Sequence, residues 1–227
     1  MSDSAWETPE AVTKFADREP DLRLLELIDD YGDPGAVRVL DLGCAGGRNS
    51  ELLARCGFDL LALDASRAMV AHTRERLAPI VGESEAERRV HHGRMDDLSE
   101  FADGAFDLVV ALGVYHCAES RAEWESAVGE TVRVLRPGGK LLMAAFTPET
   151  DLTGEGVRAV PGQPDVYEGM PSGRSVLLDQ HALDAEMKRL GLAPAVASRT
   201  MRVETSAGRR VTVNALYRLN SGGGTPD

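Results

Sequence analysis

The sequence predicts an α/β fold: a Rossmann-like, doubly wound, mostly parallel seven-stranded sheet that ends in a C-terminal antiparallel hairpin. Three observations carry this expectation. Short apolar runs of strand length alternate with segments of helical periodicity. Two of those runs end in an aspartate, Asp41 and Asp64, and the first leads directly into a glycine-rich turn. The last two runs, 195–204 and 210–219, alternate in a strand-like way around Ser206-Ala207-Gly208, which is a hairpin signal.

Residues 8–31 place Val12, Phe15, Leu22, Leu25 and Ile28 at helical spacing, with Pro20 between two patterns; two short helices follow from that. Gly32-Asp33-Pro34-Gly35 is a turn by composition. Val37–Asp41 reads as the first strand. After the glycine turn a helix runs from Asn49 to Cys56 and stops at Gly57. Asp59–Asp64 is the second strand, and Ser66 is a fitting N-cap for a helix reaching Ile80. Residues 82–89 are charged, a loop or a continuing exposed helix, and Val90–Met95 is a short third strand.

Phe106–Leu112 is almost continuously apolar, as a central parallel strand must be. A helix over 119–135 ends at Arg136-Pro137-Gly138-Gly139, and Lys140–Phe146 is the fifth strand. Residues 147–175 are polar and rich in Gly and Pro, and they are long for a connection; that combination marks a functional loop or lid. A helix over 179–190 stops at Gly191. The expected organisation is therefore an N-terminal helical cap (1–36), one ligand-binding domain (37–220) with a pocket insertion at 147–175, and a disordered Gly-rich tail (221–227).

Composition narrows the function. The 227 residues carry a net charge of −12. Such a surface repels polyanions on average, so a small-molecule substrate is expected and a nucleic acid is not. No apolar run approaches the roughly 20 residues that span a bilayer, so no membrane segment is expected. The polar, acidic start MSDSAWETPE lacks the pattern of a secretory signal. Three sparse cysteines, Cys44, Cys56 and Cys117, suit a reducing compartment; a cytoplasmic location and a monomer or homodimer are expected. The histidines have no metal-ligand spacing, so no metal is expected.

Ligands of open parallel sheets bind at the carboxyl ends of the strands. There the first strand delivers Asp41-Leu42-Gly43-Cys44-Ala45-Gly46-Gly47-Arg48. A dinucleotide turn presses a pyrophosphate against a helix N-terminus, where an acid is counterproductive. The spacing Gly43, Gly46, Gly47 also departs from G-x-G-x-x-G. Asp41 favours a ligand group that is cationic, such as an ammonium.

Val39-Leu40-Asp41-Leu42-Gly43-Cys44-Ala45-Gly46-Gly47 resembles motif I of the class I S-adenosylmethionine-dependent methyltransferases. Leu63-Asp64-Ala65-Ser66 resembles their second motif, and Gly93-Arg94-Met95-Asp96-Asp97-Leu98 the segment beside the adenine. Phe106-Asp107-Leu108-Val109-Val110 resembles their fourth strand, and Leu135-Arg136-Pro137-Gly138-Gly139-Lys140-Leu141 the turn into the fifth. The sequence departs from the pattern at Ala45, commonly glycine, and at Arg94, commonly an acid. The Gly46–Ser50 stretch is locally similar to the tellurite-resistance and thiopurine type members.

The resemblance implies S-adenosylmethionine as cofactor, held by Asp41, Gly43, Cys44, Ala45, Gly47, Asn49, Asp64 (ribose hydroxyls), Ala65, Met69, Met95, Asp96 and Leu112. It implies methyl transfer to a small-molecule N, O, S or C nucleophile by in-line displacement. Tyr115-His116 follows the fourth strand and is expected at the pocket mouth, His116 as a general base or both residues as pocket lining. Arg174 lies in the long segment and is a candidate for binding a substrate carboxylate. Trp6 and Phe15 either close over the cofactor or anchor an N-terminal helix. Two alternatives stay open: an NAD(P)-dependent oxidoreductase on a similar sheet, and a non-catalytic module that binds the cofactor without using it.

Overall fold

The computed structural model describes residues 7–16, 18–206 and 208–221. Trp6 and residues 222–227, on which two expectations fell, lie outside the described residues. The elements run α1 (Pro9–Ala16), α2 (Leu22–Ile28), β1 (Arg38–Leu42), α3 (Arg48–Arg55), β2 (Asp59–Asp64), α4 (Arg67–Val81), α5 (Glu83–Arg89) and β3 (Val90–His92). Then come β4 (Phe106–Leu112), α6 (Arg121–Val134), β5 (Leu135–Phe146), β6 (Arg158–Ala159), β7 (Val166–Met170), β8 (Gly173–Val176), α7 (Gln180–Arg189), β9 (Leu192–Thr205) and β10 (Gly208–Leu219).

Seven strands form one sheet in the order β3-β2-β1-β4-β5-β10-β9. The pairs from β3 to β5 are parallel; β10 runs antiparallel to both β5 and β9. The chain first adds strands on one side of β1 and then crosses to the other. The carboxyl ends of β1 and β4 therefore flank the point where connections diverge, the usual ligand position in such sheets.

Side-chain alternation along the strands divides the core into two layers. On one face Val39, Leu60, Leu108 and Leu142 pack with Leu24 of α2, Leu53 of α3 and Leu77 of α4. On the other, Leu40, Val109, Leu141 and Val213 pack with Trp124 and Val128 of α6 and Leu183 and Met187 of α7. Helix starts follow local side-chain chemistry. Asp21, Ser66, Ser120 and Asp179 each accept a hydrogen bond from a backbone N–H two or three residues on, which satisfies donors that the helix leaves open.

Several boundaries differ from the expected ones. Residues 83–89 form α5, separated from α4 by Gly82 at φ +90°. The third strand stops at His92, because Gly93 turns away and the next residues are irregular. The fifth begins at Leu135, so the Pro-Gly-Gly turn is absorbed into a strand that pairs through an irregularity between Phe106 and Leu108. Most of all, the segment 147–175 is no plain loop. It folds as a separate antiparallel sheet, β6-β7-β8, tied to the main domain where the Val176 N–H donates to the Ala118 carbonyl at 3.0 Å.

Candidate cofactor and acceptor site

At the end of β1 the chain reverses through a turn with three positive φ angles: Gly43 at +70°, Ala45 at +48° and Gly47 at +75°. Gly43 fits because a Cβ there would meet Val114 Cγ2 at 2.9 Å. Ala45 adopts the left-handed conformation without glycine's freedom, at a cost of roughly 1–2 kcal/mol. Part of that cost is met by side-chain bonds: the Ala45 N–H donates to Asp64 Oδ2 at 2.8 Å, and Thr73 Oγ1 donates to the Ala45 carbonyl at 2.8 Å. Ala45→Gly is expected to raise unfolding free energy by about 0.5–1 kcal/mol once glycine's larger unfolded-state entropy is set against the relieved strain. Urea unfolding measures it, and a loss of stability would contradict the strain assignment.

Two carboxylates flank this turn. Asp41 is 2% exposed, and Ser50 Oγ donates to its Oδ2 at 2.6 Å. Burial raises its pKa from the ordinary 3.8 to about 6, against the pull of Ser50 and Arg48. Asp64 ends β2 half-buried. Besides Ala45, it accepts from the Ser66 N–H at 2.9 Å, and burial raises its pKa as well. Neither carboxylate has a cation within ion-pair distance among the described residues. An uncompensated buried carboxylate is costly and matches a ligand ammonium. A half-buried strand-end carboxylate has lone pairs left for a diol. Gly113, at the end of β4, is exposed at φ +92°, and a Cβ there would meet only His116 Cε1 at 3.8 Å; the backbone is open to a ligand at that point. This donor set fits S-adenosylmethionine better than it fits a dinucleotide.

The other expected residues divide. Cys44 is buried and its thiol is pushed well above the ordinary range by burial and by Asp64 and Asp41; it is a neutral turn residue. Met69 is fully buried at the start of α4 and Met95 is buried in the α6-side core. Ala65 is exposed, with its carbonyl bonded to His92 Nε2 at 3.0 Å. Leu112 is half-buried against the α2–α4 layer. Asp96 is held by Arg94 at 2.9 Å, and Arg94 also pairs with Glu123 at 2.6 Å. The arginine that replaces an acid is thus neutralised by two carboxylates.

Asn49 is engaged within the fold: its Oδ1 accepts from the Asp21 N–H at 3.0 Å, which fastens the start of α2 to α3. Tyr115 is a correction. It is fully buried, its hydroxyl bonds Thr131 Oγ1 at 2.6 Å under α6, and burial raises its pKa. In the tight turn Tyr115–Cys117 successive side chains diverge, which sends Tyr115 into the core and not to the pocket mouth. His116 is 6% exposed, edge-on to Phe146 with centroids 4.5 Å apart, and its Nδ1 has no partner. Burial lowers its pKa to about 4, so the ring is neutral at pH 7. Arg174 sits on β8, half-exposed and paired with Glu168 at 3.0 Å. Phe15 carries the Arg18 guanidinium 4.6 Å from its ring centroid.

Contacts that sequence reasoning missed come from the N-terminal segment. Glu7 accepts from the Arg67 and Ala68 N–H groups at 2.8 and 3.1 Å, capping α4 beside Asp64. A Cβ on Gly46 would lie 2.6 Å from Ala16 Cα, so α1 seats on the turn itself. Arg76 joins the two, donating to the Ala16 carbonyl at 2.7 Å and the Gly46 carbonyl at 3.2 Å. No sequence pattern signals a contact between residues 60 apart.

Comparison with known proteins agrees with this geometry. The family model described as "Methyltransferase domain" matches residues 40–143, the span from β1 to β5 that holds both acids and the turn. Over that span the chain is similar to the class I S-adenosylmethionine-dependent methyltransferases. A demethylmenaquinone methyltransferase of Clavibacter sepedonicus is 30% identical over 170 residues, 69% of this chain and 65% of that protein. A ubiquinone biosynthesis O-methyltransferase of Xanthomonas axonopodis pv. citri is 30% identical over 122 residues, 54% of this chain and 48% of that protein. The chain thus spans about half to two thirds of the length of these relatives. Among solved structures, a 1,6-didemethyltoxoflavin-N1-methyltransferase of Burkholderia thailandensis, with bound 1,6-didemethyltoxoflavin and S-adenosylhomocysteine, superposes with a TM-score of 0.62. It is 19% identical, over 96% of this chain and 81% of that one. The match to a methyltransferase model over the span that holds both acids speaks against the oxidoreductase alternative. No helix among the described residues is long and apolar enough to cross a membrane.

Proposed function

We propose that this chain transfers a methyl group from S-adenosylmethionine to a small-molecule nucleophile. The observation that carries the reading is the pair of partly or fully buried carboxylates, Asp41 and Asp64, on either side of a strained glycine turn. Asp41 receives the ammonium of the methionine portion and Asp64 the ribose hydroxyls, with the Gly43–Gly47 backbone between them. Met69, Met95 and Leu112 supply apolar walls for the adenosine, and Asp96, once shared with Arg94, an acceptor at its edge. When bound, the cofactor supplies an already activated methyl group, so the chain's main task is alignment.

His116 and Phe146 face the acceptor side at the ends of β4 and β5. With a pKa near 4, His116 is neutral through the physiological range and acts as a weak base and hydrogen-bonding wall for the acceptor. Arg174, paired with Glu168 on the small sheet, is the candidate for acceptor recognition. Residues 7–36 form the cap, supported by the Glu7, Ala16 and Arg76 contacts, and the 147–175 sheet forms the acceptor-side wall. The net charge of −12 favours a small acceptor over nucleic acid, and the free cysteines favour the cytoplasm.

Release of S-adenosylhomocysteine in the presence of an acceptor panel tests the reading. Calorimetry that detects cofactor binding but no product with any acceptor class would favour a non-catalytic module. If His116 lines the pocket as described, turnover shows no histidine inflection between about pH 6 and 8, and His116→Gln lowers kcat by about tenfold or less. A bell-shaped profile with a limb near 6.5 that His116→Gln abolishes would contradict this.

A further inference from the structure

A cavity of about 680 Å³ opens between the end of α1, α3 and α4. Asp41, Asp64 and His116 do not line it, so it is separate from the cofactor and acceptor positions. Four arginines, Arg18, Arg48, Arg55 and Arg76, line it against three glutamates, which makes the wall net positive in a chain of net charge −12. Glu51 is shared, pairing with Arg55 at 2.8 Å and also with Arg76. Arg48 donates only to the Glu19 carbonyl, at 2.6 Å, and Arg18 rests on the Phe15 ring. Among the described residues neither has a carboxylate within ion-pair distance. Partial burial of its head group, together with the nearby charges of Arg48 and Arg210, pushes the Arg18 guanidinium below its ordinary pKa. Mutually repelling arginines around an open cavity are stabilised by an incoming anion.

We propose that this cavity binds a small phosphorylated molecule, its phosphate dianion held by Arg18 and Arg48. Guanidinium forks match phosphate oxygens bidentately, and two unpaired forks match a dianion. The volume exceeds what a bare phosphate fills and lies in the ordinary range for organic ligands. Arg76 connects the site to the cofactor turn through the Ala16 and Gly46 carbonyls, so the ligand braces α1 on that turn.

The test uses the full chain without S-adenosylmethionine, so it does not depend on the methyltransferase reading. Inorganic phosphate and ribose 5-phosphate are titrated by calorimetry and by thermal unfolding, with sodium chloride matching ionic strength. Both are expected to bind, ribose 5-phosphate the more tightly, and to raise the unfolding midpoint by about 2–5 °C near saturation. Arg18→Gln, at an exposed position, and the Arg18→Gln/Arg48→Gln pair are expected to weaken binding by about tenfold or more. A midpoint rise reproduced by sodium chloride, or unweakened binding in a folded Arg18→Gln chain, overturns the site. Phosphate binding with no gain for ribose 5-phosphate overturns the phosphomonoester assignment.

Discussion

Asp64→Ala is expected to weaken S-adenosylmethionine binding by about 10²- to 10³-fold. The side chain has two jobs at once. Its oxygens hold the Ala45 and Ser66 N–H groups at 2.8 and 2.9 Å, which fixes the turn after β1 to the start of α4. Its remaining lone pairs are those we assign to the ribose hydroxyls. Hydrogen bonds to a charged group contribute about 1.5–3 kcal/mol each, so loss of two ribose contacts alone reaches that range. Loosening Ala45, which lies at φ +48°, adds to it. The structural loss is smaller because the variant also removes a carboxylate that burial disfavours. Calorimetry should show the affinity loss in a chain whose thermal midpoint falls only modestly. An affinity within threefold of the parent would sink the assignment of Asp64 to the ribose.

Asp41→Asn is expected to do the reverse of what a damaged site usually does: stabilise the free chain while weakening the cofactor. The folded pKa near 6 lies above the ordinary 3.8. Below 3.8 the carboxyl is neutral in both states and contributes no pH dependence. Between 3.8 and about 6 the unfolded chain ionises and the native one resists, so the unfolded state binds fewer protons and stability falls as pH rises. Above about 6 the loss is complete, at about 3 kcal/mol. Asparagine removes that slope. Its amide must still find partners beside Ser50, so the net gain at pH 8 is about 1–2 kcal/mol. The ammonium of the cofactor favours the ionised acid, so the same variant should bind S-adenosylmethionine about tenfold or more weakly, and the parent should release a proton on binding near pH 5. Urea unfolding at pH 5 and pH 8 checks the first half. Parallel stability–pH curves for parent and variant would show that Asp41 does not titrate as described.

Both variants depend on residues visible in the sequence, because the backbone does most of the work there. An acid ending a buried run, followed by closely spaced glycines, prescribes strand, reversal and helix start by local sterics alone. Asp41, Gly43 and Asp64 could be read that way, as could the alternation of β9 and β10 and the cap at Ser66. The burial of Tyr115 and the contact of Asn49 with α2 could not. Adjacent polar residues such as Tyr115 and His116 look alike in sequence, and which one turns into the core depends on the turn geometry and on a distant partner, here Thr131; the Asp21 N–H that meets Asn49 is likewise distant in the chain.

The small sheet escaped for a related reason. Its strands are two to five residues long and interrupted by Gly169 at φ +105°, too short for alternation to stand out from a polar loop. By itself, then, the sequence determined the layered, mostly parallel sheet with its C-terminal hairpin, and the two acids at the glycine turn. Only the tertiary structure decided how strongly those acids are buried, that α1 seats on Gly46, and that arginines from three segments converge on one cavity. Burial and convergence are properties of packing between residues distant in the chain, and a local pattern carries no record of them.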